Sequence, residues 1–285
     1  MMPEIDLFIT PDIEKKYVHG VYDAIAPHFS ATRFAKWPKV ISFLESLVPG
    51  SLIIDAGCGN GKYLGLNPRC FFLGCDLSSP LVSICSQRGN EVLVADTLRL
   101  PYRTGSFDAA ISIAVLHHLS TEERRKKAIE EVARVVVQGG KILITVWAVE
   151  QEDKTLLSKW TPLLSKYSEE WVGAGIKSKS SKQLTAPLQS IEEQKTLNAA
   201  SDNDDALTRT GSELDKGPLN VKETICNMVE LQDYFVPWHL PYHRAEIGGA
   251  SAGAVASGFA RKDDTKAAIV YDRYYHVFVE GELER

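Results

Sequence analysis

Ile53-Ile54-Asp55-Ala56-Gly57-Cys58-Gly59-Asn60-Gly61 carries an apolar run straight into three glycines at alternate positions. A strand that ends in such a loop lets backbone N–H groups approach a ligand closely, because glycine turns tightly and has no Cβ. A dinucleotide fingerprint would read G-x-G-x-x-G and seat its pyrophosphate on the following helix N-terminus. Here the spacing is G-x-G-x-G and Asp55 stands just before it, a carboxylate poor for cradling phosphate. A nicotinamide-type dehydrogenase is thereby left as a minor alternative. Working outward, Phe71–Asp76 reads as the next strand and ends on Asp76, where an acid would grip ribose hydroxyls. Asp96-Thr97 follows a third strand, Glu91–Ala95, and places Asp96 where it would accept from an adenine amino group. One glycine loop is equally an ordinary strand–helix turn. Three acids at the carboxyl ends of three successive strands are not.

The remaining apolar periodicity extends this alternation. Pro11–Phe29 carries Val18, Val21, Tyr22 and Ile25 at helical spacing, and Val40, Phe43, Leu44 and Leu47 repeat the pattern. Ser51–Ala56, Phe107–Ala114 and Lys141–Val149 read as further strands. Pro80–Arg88 reads as a helix, and so does Thr121–Val136, closed by Gly139-Gly140. Continuous apolar strands separated by helices predict an α/β fold, a doubly wound and mostly parallel sheet covered on both faces. The chain divides into an N-terminal helical cap (1–50), an α/β core (51–171), an insert (172–233) and a C-terminal segment (234–285). The insert lacks Phe, Tyr and Trp altogether and is predicted to be mostly disordered, with a weak helical pattern over Val221–Leu231. Gly248–Gly258 reads as a flexible loop.

Composition excludes several classes. The 285 residues are 44% hydrophobic, ample for one sizeable core once the insert is set aside. Lys+Arg 32 against Asp+Glu 37 leaves −5, which excludes a bulk-basic nucleic-acid coat but not a local patch. The apolar runs are strand-sized, short of a membrane span. Cysteines at 58, 70, 75, 85 and 226 form no C-x-x-C pair, and the acidic start resembles no leader; reduced thiols in cytosol or nucleus are expected. No metal site is expected, since no histidine or cysteine stands at zinc spacing.

The acid-and-glycine constellation resembles class I S-adenosylmethionine-dependent methyltransferases. Four further stretches are more particular: Val18-His19-Gly20-Val21-Tyr22-Asp23-Ala24-Ile25-Ala26-Pro27-His28-Phe29-Ser30-Ala31-Thr32-Arg33 with Trp37-Pro38 behind it, Ile111-Ser112-Ile113-Ala114-Val115-Leu116-His117-His118, Phe235-Val236-Pro237-Trp238, and Arg273-Tyr274-Tyr275-His276-Val277-Phe278-Val279-Glu280-Gly281-Glu282-Leu283. Together they resemble the tRNA wobble-uridine carboxymethyl methyltransferase family, including the methyltransferase part of an AlkB homologue. The resemblance implies methyl transfer from S-adenosylmethionine to the carboxylate of 5-carboxymethyluridine at the anticodon wobble position. It implies a small zinc-binding activator subunit as partner, docked along Phe71–Arg88 and the sheet edge there. It also implies cofactor contacts at Tyr22, Arg33, Asp55, Gly57, Gly59, Gly61, Asp76, Leu77, Asp96, Thr97 and Ala114. Finally, it implies a last helix and a closing strand pair beyond Leu283 that this chain lacks, so the fifth strand is expected to expose an apolar edge.

A carboxylate nucleophile is ionised at pH 7, with a pKa of about 4, so no general base is required. The catalytic candidates are therefore groups that orient. His117 is the first choice to position substrate, although one of His117 and His118 is expected to pack locally. Trp147 offers a stacking face or simply core. Arg33 would hold the cofactor's carboxylate or the substrate's. Arg273, Tyr274 and His276 sit in a strand-like alternation with one face buried, and the resemblance makes all three RNA or substrate contacts. Trp37 reads as a packing anchor. Arg124-Arg125-Lys126-Lys127 reads as a solvated helix face, with tRNA contact as the alternative. Two other functions stay open at this point: a class I methyltransferase acting on a small-molecule or protein carboxylate, and a non-catalytic form that binds the activator.

Overall fold

The computed structural model describes residues 7–151, 153, 155–163, 232–248 and 251–284. Five parallel strands form the central sheet in the order β3-β2-β1-β4-β5: β1 (Leu52–Ala56), β2 (Phe71–Asp76), β3 (Val92–Val94), β4 (Phe107–Ile113) and β5 (Val136–Thr145). Successive residues of each inner strand point to opposite faces. Ile53, Ala109 and Ile111 pack with Val40 and Leu44 of α3 (Pro38–Glu45). Ile54 and Ala110 pack with Val132 and Val135 of α5 (Glu122–Val135), on the other face. Both faces being covered explains why the strands read as continuous apolar runs.

The N-terminal helical segment starts as α1 (Asp12–Glu14), passes through a π-helical turn over Lys15–His19, and continues as α2 (Gly20–Thr32). It lies beside α4 (Ser79–Gln87) and against a second, antiparallel sheet. That sheet runs β6-β7-β9-β8: β6 (Thr161–Pro162), β7 (Asp233–Pro241), β8 (Arg261–Asp263) and β9 (Ala268–His276). Val21 and Ile25 of α2 bury against Trp238, Leu240, Ile269 and Tyr271 of β7 and β9, which roofs the carboxyl ends of the central strands.

Several expectations shift. Strand β5 starts at Val136 rather than Lys141, and Gly139-Gly140 lie inside it, where β4 and β5 slip register between Phe107 and Ala109. A Cβ on Gly140 would stand 2.7 Å from the carbonyl of Asp108, so the slip needs glycine there. The stretch read as a flexible loop holds α6 (Tyr242–Gly248) at its start and α7 (Ser251–Ala256). Its alanines favour helix, and Ala254 and Val255 pack onto the β7–β9 cluster. Asp233, placed in the insert by composition, opens β7; the rest of that insert reading and Val221–Leu231 lie outside the described residues. Strand β5 pairs with β4 alone within its sheet, and Val137 and Ile142 are exposed along it. Past its end, an isolated parallel bridge joins Ala148 to Phe278. Among the described residues no helix is long and apolar enough to cross a membrane.

Candidate functional site

A cavity of ~220 Å³ opens where β1, β2, β3 and β4 end, between the glycine loop and the antiparallel sheet. Its floor is the loop after β1. Gly57 has φ +86°, and a Cβ there would lie 2.3 Å from Val115 Cγ2, so no other residue fits. Gly59 donates its N–H to Asp76 Oδ2 at 2.8 Å, while Ser78 N–H donates to Oδ1 at 2.9 Å. The Asp76 carboxylate therefore ties the loop to the end of β2 and still faces the cavity. Burial raises its pKa. Asp96 accepts from Leu98 N–H at 2.9 Å, which orders the turn after β3. Ala114, just past β4, holds φ +59°, a strained backbone for a residue with a Cβ, at the cavity wall.

Asp55 is the unsatisfied group of this end. It is 1% exposed, and among the described residues neither carboxyl oxygen has a hydrogen-bond donor. Burial first, and then the nearby Asp76 charge, push its pKa up to about 8, against a smaller opposing pull from Lys62. A buried carboxylate without donors is costly unless a ligand supplies them. An amino acid ammonium is such a ligand, so the residues fit S-adenosylmethionine: Asp76 for its ribose hydroxyls, Asp96 near its base, and Asp55 toward its ammonium.

The rest of the lining includes a cationic and aromatic group. The guanidinium of Arg273 is buried over the rings of Trp238 (4.9 Å) and Tyr275 (5.1 Å), and Nη1 donates to Tyr275 OH at 2.8 Å. Its Nε has no acceptor, and among the described residues no carboxylate pairs with it. Arg33 lies over Trp238 at 4.7 Å. His118 Nδ1 is 3.0 Å from the Tyr274 carbonyl, which only accepts, so Nδ1 carries the proton and Nε2 accepts from Tyr22 OH at 3.0 Å. Burial lowers the His118 pKa to about 3, so it stays neutral. His117, 4.2 Å away ring to ring, is also held neutral, by burial and then by His118 and Arg273. Among the described residues its Nδ1 has no hydrogen-bond partner.

The cavity thus gathers Tyr22, Arg33, Asp55, Gly57, Gly59, Asp76, Leu77, Asp96, Thr97, Ala114, His117, Trp147 and Arg273 from the sequence-based set. It excludes two. Gly61 lies behind the loop, where a Cβ would meet Cys85 Sγ at 2.9 Å. Tyr274 points the other way, packed with Tyr17, Val18 and Phe235 and donating to Asp233 at 2.7 Å. Residues alternate along β9, so Arg273 and Tyr275 share the cavity face and Tyr274 cannot. Tyr275 was missed, and that same parity is the signal that would have found it. Trp147 both lines the cavity and contacts the rings of Trp160 and Tyr275. The solvated-face reading of Arg124–Lys127 fails for its first half: Arg124 is buried against Glu14 at 2.9 Å, and Arg125 hydrogen-bonds the Leu119 carbonyl. Lys126 and Lys127 pair with Glu122 and Glu131.

A family model described as a methyltransferase domain matches residues 54–144. A tRNA (carboxymethyluridine(34)-5-O)-methyltransferase of Arabidopsis thaliana is 60% identical over 97% of this chain and 76% of its own length. A mouse protein of the same description is 41% identical over 96% of this chain, which spans 40% of that longer protein. The fission yeast protein so described is 49% identical over 50% of this chain and 62% of its own length. Among solved structures, the cyclase SpnF aligns at TM-score 0.42 and 21% identity, over 50% of this chain and 62% of that one. A Haloferax volcanii methyltransferase–Trm112 activator complex aligns at 0.39 and 18%, over 46% and 60%.

Proposed function

The chain belongs to the tRNA (carboxymethyluridine(34)-5-O)-methyltransferase family, and we propose that its cavity esterifies the carboxylate of 5-carboxymethyluridine at the wobble position of tRNA. The observation that carries this reading is the buried Arg273 guanidinium, without a carboxylate partner among the described residues, in the same cavity as Asp55 and Asp76. A buried cation of that kind calls for an anion.

S-adenosylmethionine, when bound, supplies a methyl group activated by its sulfonium. Asp55, Asp76 and Asp96 bind and orient that cofactor. Arg273 fixes the substrate carboxylate by hydrogen bonds and is itself held by the rings of Trp238 and Tyr275. The bound cofactor would give its methyl carbon to one carboxylate oxygen and leave as the thioether. No proton moves, so no base is needed. Neutral His117 and His118 match that requirement: they orient and exclude water without giving or taking a proton. Alignment of this kind supplies up to ~7–11 kcal/mol. Trp147 offers a ring face to the uracil.

Methyl transfer is to be measured on anticodon stem-loops carrying 5-carboxymethyluridine or its uncharged amide. The acid is methylated, the amide is not, and Arg273→Gln loses the acid reaction. Equal transfer to both RNAs, or an unaffected Arg273→Gln enzyme, overturns the assignment.

The same reading includes the activator subunit. Strand β3 is an outer strand of the sheet, with Val94 at its end 50% exposed, and Phe71, which opens the adjacent strand β2, is 68% exposed. An open strand edge with apolar side chains suits a partner. Co-expression with a zinc-binding activator raises soluble yield, and Phe71→Glu with Val94→Asp abolishes co-purification; retention of the partner by that variant contradicts the placement. Five cysteines without a C-x-x-C pair support a cytosolic or nuclear location, where thiols stay reduced. A fluorescent fusion confined to an oxidising lumen would refute this.

A further inference from the structure

The loop between α2 and α3 presents an unusual surface. From Arg33 to Lys39 (Arg33-Phe34-Ala35-Lys36-Trp37-Pro38-Lys39) every residue is exposed, three are cationic and none is acidic. Phe34 is 72% exposed and Trp37 38%, so two large aromatic rings stand in water on one short loop. A monomer gains nothing from that arrangement. The loop is nonetheless held in place. Asn60 Nδ2 donates to the Arg33 carbonyl at 2.8 Å, Lys62 Nζ to the Ala35 carbonyl at 3.3 Å, and Tyr63 OH accepts from Trp37 N–H at 3.2 Å. All three anchors belong to the glycine loop and the turn after it. Lys62 also sits 5.0 Å over the Trp37 ring. Arg33, Trp37 and Lys62 line the cavity, so the loop forms its rim.

Basic side chains interleaved with exposed rings are how single-stranded nucleic acid is held: phosphates on the cations, bases on the ring faces. The rival basic stretch, Arg124–Lys127, is occupied by internal partners, as shown above. We propose that Arg33–Lys39 together with Lys62 is a platform for single-stranded RNA, on which a nucleotide flanking the modified uridine stacks against Phe34 while Lys36 and Lys39 contact its phosphates. The inference rests on the tRNA reading of the cavity and gives it a surface. It also gives a chain of net charge −5 a local cationic patch for RNA, made of Arg33, Lys36, Lys39 and Lys62 at the cavity rim.

The test uses the protein co-purified with its activator, the anticodon stem-loop carrying 5-carboxymethyluridine, and the free 5-carboxymethyluridine nucleoside. Phe34→Ala raises KM for the stem-loop roughly five- to a hundred-fold, the range for loss of one stacked base. Phe34→Trp restores it. Turnover of the nucleoside and cofactor affinity stay unchanged in both, which shows that the fold is intact. Lys36→Glu with Lys39→Glu lowers the slope of log affinity against log salt by about 1.4, roughly 0.7 per single-strand phosphate contact. Wild-type KM and salt slope in these variants, with the parent enzyme active on RNA, overturn the platform alone. Loss of the activator with RNA affinity retained also overturns it and makes the loop a protein interface. A parent enzyme that methylates the nucleoside and binds no RNA removes the tRNA reading, and the platform with it.

Discussion

Cofactor binding is expected to release a proton, and Asp55 is the source. Its pKa is near 8 in the empty cavity because burial, and then the Asp76 charge, disfavour the carboxylate. An ammonium group needs the ionised form. At pH 7 about one molecule in eleven carries Asp55 ionised, so affinity falls roughly ten-fold below its alkaline plateau, about 1.4 kcal/mol, and about a further ten-fold at pH 6. Close to 0.9 proton is therefore released per cofactor bound at pH 7, by the same arithmetic. Titration calorimetry in buffers of different ionisation enthalpy measures this number directly. Asp55→Asn removes the pH dependence between 6 and 8 and lowers the plateau affinity, whereas any residual slope at lower pH reports Asp76. The folded state follows the linked sign. Stability contributed by a raised carboxyl pKa is fully present below the unfolded value of 3.8 and is lost as pH rises through about 8. The melting temperature of the cofactor-free protein should fall over that window, and saturating cofactor should flatten the fall. A flat affinity between pH 6 and 8.5, with no proton release, would refute the reasoning.

Three further perturbations follow from single contacts. Gly57→Ala forces a Cβ against Val115 at 2.3 Å in a left-handed backbone and should cost roughly 1–3 kcal/mol of stability in urea unfolding, with cofactor affinity lost alongside. Glu14→Ala strands the buried Arg124, which also donates to the Leu7 carbonyl, and should cost roughly 3–5 kcal/mol by the same assay; adding Arg124→Met should recover part of it. His117→Ala should lower kcat on the stem-loop by roughly ten- to a hundred-fold with cofactor affinity unchanged, since the role proposed for this cavity-lining ring is to orient substrate and not to carry the cofactor.

The central sheet was legible because its inner strands are buried on both faces, so Ile53-Ile54 and Ala109-Ala110 read as unbroken apolar runs. The cofactor end was legible because β1, β2 and β3 each lead to an acid and the glycine spacing is tight. The misreadings have physical causes. Val136-Val137 looked like a helix end because no turn residue separates α5 from β5. The alanine-rich stretch near 251 carries no bulky anchor, yet β7 and β9 supply the surface on which α7 packs. Strand β9 is buried along nearly its whole length, so composition could not separate Arg273 and Tyr275 from Tyr274. The Glu14–Arg124 pair joins residues far apart in sequence, and an isolated acid near a chain start gives no sign that it is buried. The clamp of Trp238 around Arg273 likewise depends on Val236 pairing with Arg273 across β7 and β9, a register that no local pattern encodes.

Nucleoside analysis of the RNA product tests the central claim most directly. The protein, co-expressed with the proposed activator, is incubated with radiolabelled S-adenosylmethionine and tRNA lacking the wobble ester, and the RNA is digested before and after mild alkali. The account predicts label on 5-carboxymethyluridine alone, released by alkali as a methyl ester must be, and absent with Arg273→Gln. Alkali-stable label, or label on a different nucleoside, would contradict it.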